Sequence, residues 1–231
     1  MRFTLGDPPF VGQSGQRVIV AVLDSGIHAE HPHVGGIAEG VSFADEANDF
    51  VDRIGHGTAV AAAIREKAPG VELIAVKIFH QRLATNAEVL SRAIEWAADR
   101  GAQLVNLSLG TANAAHAARL STAVAYASAR GSLVVSALEA NETALFPGSL
   151  DGVAGVVADW SCDRDSIDVV PRVGGVSRFS ASAYPRPIPG VPKENNLAGV
   201  SFAVANVTGF LARAIQSGSF DEIVRGRPRR A

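Results

Sequence analysis

Short runs of apolar, β-branched residues alternate along this chain with longer, Ala-rich stretches of helical period. That alternation is typical of strand-helix units that assemble a parallel sheet. The predicted strands are residues 17–23, 73–78, 103–109, 132–137 and 152–158. Because these runs are almost continuously apolar, we expect both faces of the sheet to be buried. The pattern therefore predicts an α/β fold built around a mostly parallel sheet.

The intervening stretches supply four predicted helices. One opens with the pattern Thr85-x-x-Glu88, which is typical of a capping box, and Gly101 follows as its stop. Its apolar residues share one side of the helix: Val89, Leu90, Ala93, Ile94 and Ala97. The other predicted helices span residues 59–64, 114–130 and 202–215.

The chain shows no internal repeat and no linker that would divide it. One domain is therefore predicted for residues 1–231. A surface loop is predicted where four prolines cluster: Pro185, Pro187, Pro189 and Pro192. Residues 218–231 are expected to form a basic C-terminal tail.

The charge balance excludes several classes of function. The chain carries 21 Lys and Arg against 23 Asp and Glu, and its pI is near 6.3. Such a chain has no long-range field that attracts nucleic acid or an anionic membrane. Its apolar runs fall short of the roughly 20 residues that a membrane span needs, and no secretory leader is visible. Because Cys162 is the single cysteine, we expect a reducing compartment and a cytoplasmic protein.

Three local patterns place reactive side chains where sites commonly form. Asp24 ends a predicted strand, at the sheet edge where ligands bind, although a turn-starting Asp looks the same. His56 precedes a predicted helix, as a general base or a surface histidine would. Ser201 leads into the last predicted helix, either as a nucleophile or as an N-cap. Together, a hydroxyl, an imidazole and a carboxylate are the parts that acyl transfer requires.

Four segments around these residues resemble, in order, the hallmark segments of the subtilisin-like serine peptidases. They are residues 22–27 (VLDSGI), 56–61 (HGTAVA), 106–110 (NLSLG) and 199–203 (GVSFA). The order Asp, His, Ser is the one known for subtilisin. The resemblance covers residues 16–215 and implies a three-layer sandwich of helices around the central sheet. It also implies that Ser201 is the nucleophile, His56 the general base and Asp24 the group that orients the imidazole.

The resemblance further implies a binding edge for an extended peptide. Ser108, Leu109 and Gly110 would form this edge, with a second edge near residues 80–83. A side chain at Gly110 would obstruct the approaching substrate backbone. The expected partner is therefore a peptide or protein substrate.

Primary specificity stays open at this stage. Glu139 and Glu142 would favour a basic substrate residue, or they simply face solvent. Leu138 and Phe202 would instead give an apolar pocket. The oligomeric state is equally open.

The match to the family is weakest at the oxyanion hole. The family pairs the nucleophile's N–H with an Asn side chain that follows the strand predicted at 132–137. Without a gap this position falls on Ala140, whereas one inserted residue brings Asn141 there, and we favour Asn141. Val200, where the family has Thr, deletes a hydroxyl near the oxyanion. Three further positions differ from the family pattern: Ala59, Ala205 and Asn206.

No metal or other cofactor is predicted. Residues 65–72 leave no room for the calcium loop of many secreted relatives. An acidic group lacks a recognised metal spacing and is interpreted as a solvated segment: Asp45, Glu46, Asp49 and Asp52. His28, His31 and His33 form only a weak zinc pattern.

These observations predict an intracellular serine endopeptidase, with the trimming of one dedicated precursor as a narrower hypothesis. The alternative is a peptide-binding protein that kept the fold and lost efficient catalysis, motivated by Ala140, Val200 and Asn206. A nucleotide-binding domain ranks lower, because no Gly-rich phosphate loop follows the first strand.

Overall fold

The computed structural model describes residues 1–44 and 48–226. Within these residues, nine strands form one sheet in the order β1-β10-β11-β9-β6-β5-β2-β4-β3. Pairing is parallel from β3 through to β11 and antiparallel for β10 and β1. The sheet strands are β1 (Arg2–Thr4), β2 (Ile19–Asp24), β3 (Glu39–Ser42), β4 (Glu72–Lys77), β5 (Leu104–Leu107), β6 (Leu133–Ala137), β9 (Ala154–Asp159), β10 (Ser166–Val170) and β11 (Arg178–Ser182). A separate hairpin pairs β7 (Glu139–Ala140) with β8 (Thr143–Ala144).

Helices cover both faces of this sheet. The described α-helices are α1 (His56–Lys67), α2 (Ala87–Asp99), α3 (Ala117–Ala129), α4 (Val200–Ser217) and α5 (Phe220–Arg225). Strand β2 shows how the layers divide, because Val20 and Val22 pack with residues of α1 and α4. Ala21 and Leu23, which point to the other face, pack with residues of α2 and α3. The predicted α/β fold with three layers is confirmed.

The five predicted strands correspond to β2, β4, β5, β6 and β9, with ends that differ by a few residues. Each of these strands has a parallel neighbour on both sides. Burial on both faces explains why their sequences are so uniformly apolar. Prediction succeeded here because burial dictates the residue types.

Two predicted helix starts need correction. Helix α2 is capped by Asn86 and not by Thr85, since the Asn86 side chain accepts hydrogen bonds from the backbone N–H groups of Glu88 and Val89 at 3.0 and 2.9 Å. Asn is as good a cap as Thr, and the capping-box spacing hid the shift by one residue. The helix expected from residue 114 begins with a single 3₁₀ turn, and α3 proper starts at Ala117.

Sequence patterns missed four strands and the last helix. Strands β1 and β3 are the two edges of the sheet, and β10 and β11 follow β1 in the sheet order; these four are short or mixed in polarity and lack the continuous apolar run that marked the other strands. Part of the expected tail is helical, because α5 buries Ile223 and Val224 against the core. Residues 227–231 lie outside the described residues, and the one-domain prediction stays a prediction. Among the described helices, none combines the length and apolar composition that a bilayer crossing requires.

Candidate active site

Asp24 and His56 are in direct contact at the carboxyl edge of the sheet. Asp24 is the last residue of β2 and is buried, and His56 is the first residue of α1. The imidazole Nδ1 lies 2.7 Å from Asp24 Oδ1, which also accepts the backbone N–H of Ser25 at 2.8 Å. Asp24 Oδ2 is buried without a hydrogen-bond partner in the described chain. With the carboxylate accepting at Nδ1, the tautomer is fixed and Nε2 is left to act as a base.

Close backbone approach brings His56 to the strand. A Cβ atom added to Gly57 would lie 2.2 Å from the carbonyl oxygen of Gly26, so any other residue would push α1 away from β2. The glycine beside the histidine is thus required by packing. This requirement supports the interpretation of His56 as a built site residue and not a surface histidine.

Asp52 anchors the start of the same helix. One of its oxygens accepts from the Ser25 hydroxyl and from the N–H groups of Ile54 and Gly55 at 2.8–2.9 Å. The other accepts the backbone N–H and the hydroxyl of Thr58 at 2.9 and 2.7 Å. Burial alone would raise the pKa of Asp52, but these hydrogen bonds outweigh it and the pKa lies below its usual value.

The expectation that Asp52 belongs to a solvated acidic segment is therefore wrong. Asp52 is only 9% exposed, because its carboxylate satisfies the free N–H groups at the start of α1. Of the other acidic residues, Asp49 pairs with Arg53, while Asp45 and Glu46 lie outside the described residues. The sequence did contain a signal for the role of Asp52, because this carboxylate lies four positions before the histidine that opens the helix.

The environment of His56 raises its pKa. Burial of the ring works to lower the pKa, but the hydrogen bond to Asp24 and the charges of Asp24 and Asp52 outweigh it. The imidazole therefore becomes protonated at a higher pH than free histidine does. This shift makes the ring a stronger base for accepting a hydroxyl proton.

Ser201 lies in the first turn of α4. The helix begins at Val200 with Gly199 as its N-cap, so Ser201 is not the cap. Its hydroxyl donates to the carbonyl of Ser108 at 3.1 Å. Within the described residues no hydrogen bond joins it to His56, although the ring of Phe202 lies 5.7 Å from the imidazole. The structure thus joins Asp24 to His56 and Ser201 to Ser108, and the catalytic assignment of the three stays a prediction.

A buried polar chain holds Ser108, whose carbonyl accepts the Ser201 hydroxyl. Thr208, in α4, donates from its hydroxyl to the Asn106 side-chain oxygen at 2.9 Å. The Asn106 amide donates in turn to the Ser108 hydroxyl at 3.0 Å. Asn106 and Thr208 are fully buried, so this connection ties the end of β5 to the helix that carries Ser201. Sequence reasoning missed both residues, although a polar residue inside each apolar run was a visible signal.

The backbone N–H of Ser201 is the first oxyanion donor that the sequence predicts. The N–H of Ser201 falls in the first turn, where helices leave such groups unpaired and favour negative charge. Asn141, the expected second donor, lies in the turn between β7 and β8 with a φ of 48° and is exposed. Asn141 and Ala140 both line a cavity of about 240 Å³ together with Val200. The structure therefore brings the 140–141 segment to the residue that precedes Ser201.

Comparison with known proteins agrees with this arrangement. The sequence profile of the subtilase family matches residues 15–222. The chain belongs to the subtilase family.

Curated relatives include subtilases of several bacteria. A thermophilic serine proteinase of Bacillus sp. strain AK1 is 32% identical, covering 90% of this chain and 54% of the relative. Subtilisin Savinase of Lederbergia lenta is 38% identical over 54% of this chain and 49% of its own length. This subtilase chain thus spans about half the length of these relatives. A crystal structure of a lanthipeptide protease shares the fold, with a TM-score of 0.68 and 18% identity over 89% of this chain and 75% of that one.

The predicted peptide edge of this subtilase has backbone N–H groups without a backbone partner, whereas the carbonyls of Ser108 and Leu109 accept the hydroxyls of Ser201 and Ser136. The N–H groups of Ser108, Leu109 and Gly110 donate no backbone hydrogen bond within the described chain, and the next residue, Thr111, pairs with Phe146. The structure gives Gly110 a reason other than the one expected. An added Cβ would lie 2.7 Å from the Cβ of Leu145, so the internal packing already requires glycine. Its contact with substrate stays a prediction.

The residues predicted to set specificity or to bind a metal do not gather at one place in the fold. Leu138 and Phe202 are buried, whereas Glu139 and Glu142 are exposed in the hairpin, with Glu139 lining the 240 Å³ cavity. In the described residues, the one group of three potential metal-ligand side chains whose donor atoms lie within 4.8 Å of one another is Asp159, Cys162 and Asp168. The histidines proposed as a weak zinc pattern do not form such a group: His28, His31 and His33.

Proposed function

We propose that this chain is a serine endopeptidase that hydrolyses peptide bonds through an acyl-enzyme on Ser201. The observation that carries the proposal is the 2.7 Å contact between Asp24 and His56 at the sheet edge, with the imidazole ring 5.7 Å, centroid to centroid, from the ring of Phe202, the residue after Ser201. A buried carboxylate, an imidazole with raised pKa and a hydroxyl at a helix N-terminus suit acyl transfer.

The first half of the reaction forms the ester. The Ser201 hydroxyl turns from the Ser108 carbonyl to Nε2 of His56 and gives up its proton there as Oγ bonds to the substrate carbonyl carbon. The Ser201 N–H and the Asn141 amide stabilise the oxyanion. The C–N bond then breaks, and His56 passes the proton to the leaving amine.

The second half regenerates the enzyme. Water attacks the ester carbonyl and gives its proton to His56. The C–O bond to Ser201 breaks, and the hydroxyl recovers its proton from the imidazole. Throughout, Asp24 holds Nδ1 and stabilises the imidazolium without becoming protonated.

A fluorophosphonate probe tests the proposal directly. The phosphorus of the probe is attacked by an activated serine, so the full chain should be labelled at Ser201 and Ser201→Ala should not be labelled. Ser108→Ala serves as a control for labelling at the neighbouring hydroxyl. Folded wild-type protein that resists the probe would contradict the proposal.

One observation favours a second candidate function. The Ser201 hydroxyl is engaged by Ser108 and not by His56, which is the arrangement expected of a peptide-binding protein that has lost efficient catalysis. Such a protein would bind peptides along Ser108–Gly110 without cleaving them. Binding of an unlabelled peptide by calorimetry, with the peptide recovered intact, would favour this function.

We propose a narrower role in the cytoplasm, as a peptidase that trims one dedicated precursor. The support for the compartment is the single cysteine of the sequence, Cys162, which suits a reducing environment. Casein digestion checks this point, because broad degradation would contradict a dedicated processing role.

A further inference from the structure

An aromatic groove adjoins the candidate active site. It is a cavity of about 410 Å³ whose lining includes Trp160, Tyr184, Pro185, Pro187 and Lys193. Trp160 is 58% exposed, which is a large exposed fraction for so bulky an apolar side chain. Exposed Trp and Tyr residues are the ones that most often anchor a bound peptide.

The groove is connected to the nucleophile through Trp160. The same side chain also lines the 240 Å³ cavity that contains Val200 and Asn141. Val200 directly precedes Ser201, whose hydroxyl donates to the Ser108 carbonyl. A peptide that lies along Ser108–Gly110 and crosses Ser201 would therefore reach these two cavities on its path.

The sheet order agrees with this path. Ser108 follows β5, whereas Trp160 follows β9 and Tyr184 follows β11, two positions and three positions away across the sheet. An extended peptide held at the β5 end and attacked at Ser201 would leave toward β9 and β11. The groove then holds the half of the substrate that departs as the amine.

The walls of the groove are held in place before any ligand binds. Trp160 and Tyr184 meet edge to face, with ring centroids 5.7 Å apart. The Tyr184 carbonyl accepts hydrogen bonds from Asn206 of α4 and from Arg164, each at 3.3 Å. Asn206 therefore links the groove to the helix that carries Ser201, and a preformed groove loses little entropy on binding.

The chemistry of the lining selects apolar partners. Arg164 pairs with Glu66, and the Lys193 ammonium lies 5.2 Å from the centre of the Tyr184 ring, so both cations have local partners. The Asp163 carboxylate accepts the N–H of Asp165. Besides the polar side chains of Ser161, Ser182 and Asn196, the groove offers a ligand aromatic and proline surface.

We propose that Trp160 is a specificity-determining residue that binds a bulky apolar side chain on the leaving-amine side of the scissile bond. This inference rests on the proposed peptidase function. It defines the substrate class as peptides with an aromatic or large aliphatic residue after the cut.

Partitioning of the acyl-enzyme tests the inference. An ester substrate with no amino acid after the scissile bond forms the acyl-enzyme, which then reacts with water or with added phenylalaninamide or glycinamide. Reaction with the amine breaks the ester C–O bond, forms an amide C–N bond and returns a proton to Ser201 through His56. The ratio of amide to acid product does not depend on how fast the acyl-enzyme forms.

Wild-type enzyme should prefer phenylalaninamide to glycinamide. Trp160→Ala should reduce that preference roughly 3–10-fold, the loss expected for an aromatic contact, whereas Trp160→Phe should keep most of it. Val173→Ala is the matched control, since Val173 is an exposed apolar residue that lines neither cavity.

Each outcome separates the inference from the proposed function. If ester turnover occurs and Trp160→Ala keeps the wild-type preference, the inference is overturned and the peptidase function stands. If Trp160→Ala instead alters selectivity for residues before the cut, the assignment to the amine side is wrong. If neither turnover nor probe labelling occurs in folded protein, the proposed function and the inference both fail.

Discussion

The two halves of the candidate site differ in how completely they are built. On the β2 side, His56 is held by Asp24, and Asp52 accepts five hydrogen bonds, two from Thr58 of the helix that begins with His56 and three from Ser25, Ile54 and Gly55 beside it. On the other side, Ser201 donates to Ser108, and Asn141 stands in an exposed turn. In the proposed function, His56 is thus in its working geometry without substrate, whereas Ser201 and Asn141 must adjust when a peptide binds. Apo structures of catalytic sites commonly show such loose contacts.

The largest effect should come from breaking the completed half. Asp24→Asn keeps the shape but no longer favours the tautomer that leaves Nε2 free, so kcat should fall by about 10⁴-fold. Steady-state kinetics on a peptide substrate measures this loss, with circular dichroism as the check of folding. A decrease of less than tenfold would mean that the contact between Asp24 and His56 has only a structural role.

The next effect tests whether the loose half becomes catalytic. Asn141→Ala and Asn141→Asp both remove the amide donor, and either should lower kcat by about 10²–10³-fold with little change in KM. Ala140→Gly, in the same hairpin, should leave the rate nearly unchanged. If the two Asn141 variants retain full kcat, the oxyanion is stabilised by the Ser201 N–H and another group.

Asp52→Asn measures how much the anchoring of α1 stabilises the fold. Losing charged hydrogen bonds at a buried helix start should reduce the free energy of unfolding by roughly 1.5–3 kcal/mol. Because the pKa of Asp52 is lowered on folding, the difference should be full near neutral pH and should shrink as the pH falls below about 4. Urea unfolding at pH 7 and at pH 3 checks this, and an equal difference at both values would contradict it.

The smallest effect concerns the pH profile. Since the pKa of His56 is raised, activity should fall on acidification with a midpoint above the usual value of about 6.5. Asp52→Asn removes one of the charges responsible, so the midpoint should move to lower pH. A pH profile of kcat/KM for both proteins measures the shift. A midpoint that does not move would assign the raised pKa to Asp24 alone.

The sequence was informative where one cause determined the residue types. Continuous burial on both faces made β2, β4, β5, β6 and β9 recognisable, and the reactive triplet was carried by short motifs around Asp24, His56 and Ser201. The prediction for Asp52 was wrong because the residue type alone does not distinguish a buried, fully hydrogen-bonded carboxylate from a solvated one. The Trp160 groove could not be seen at all, since its walls come from segments that meet only after β9 and β11 have paired.

Asn206 also shows that a residue type does not reveal the environment of its side chain. As a substitution in a family motif, it suggested a loss of function. In the fold its amide donates hydrogen bonds to the carbonyl groups of Ser182 and Tyr184, at 3.0 and 3.3 Å. A departure from a family pattern acquires meaning only when its neighbours are known.

The alternation of β2 sets a rule for how this protein can change over evolution. Asp24 has the same parity as Val20 and Val22, so it points to the layer that contains α1 and α4. Inserting one residue into β2 would send the carboxylate to the opposite layer, among α2 and α3, and would bury Leu23 where the acid now stands. An insertion of two residues would keep the carboxylate on its present side of the sheet but would move it by about 7 Å along the strand, away from His56, so the length of β2 is fixed as well as its parity.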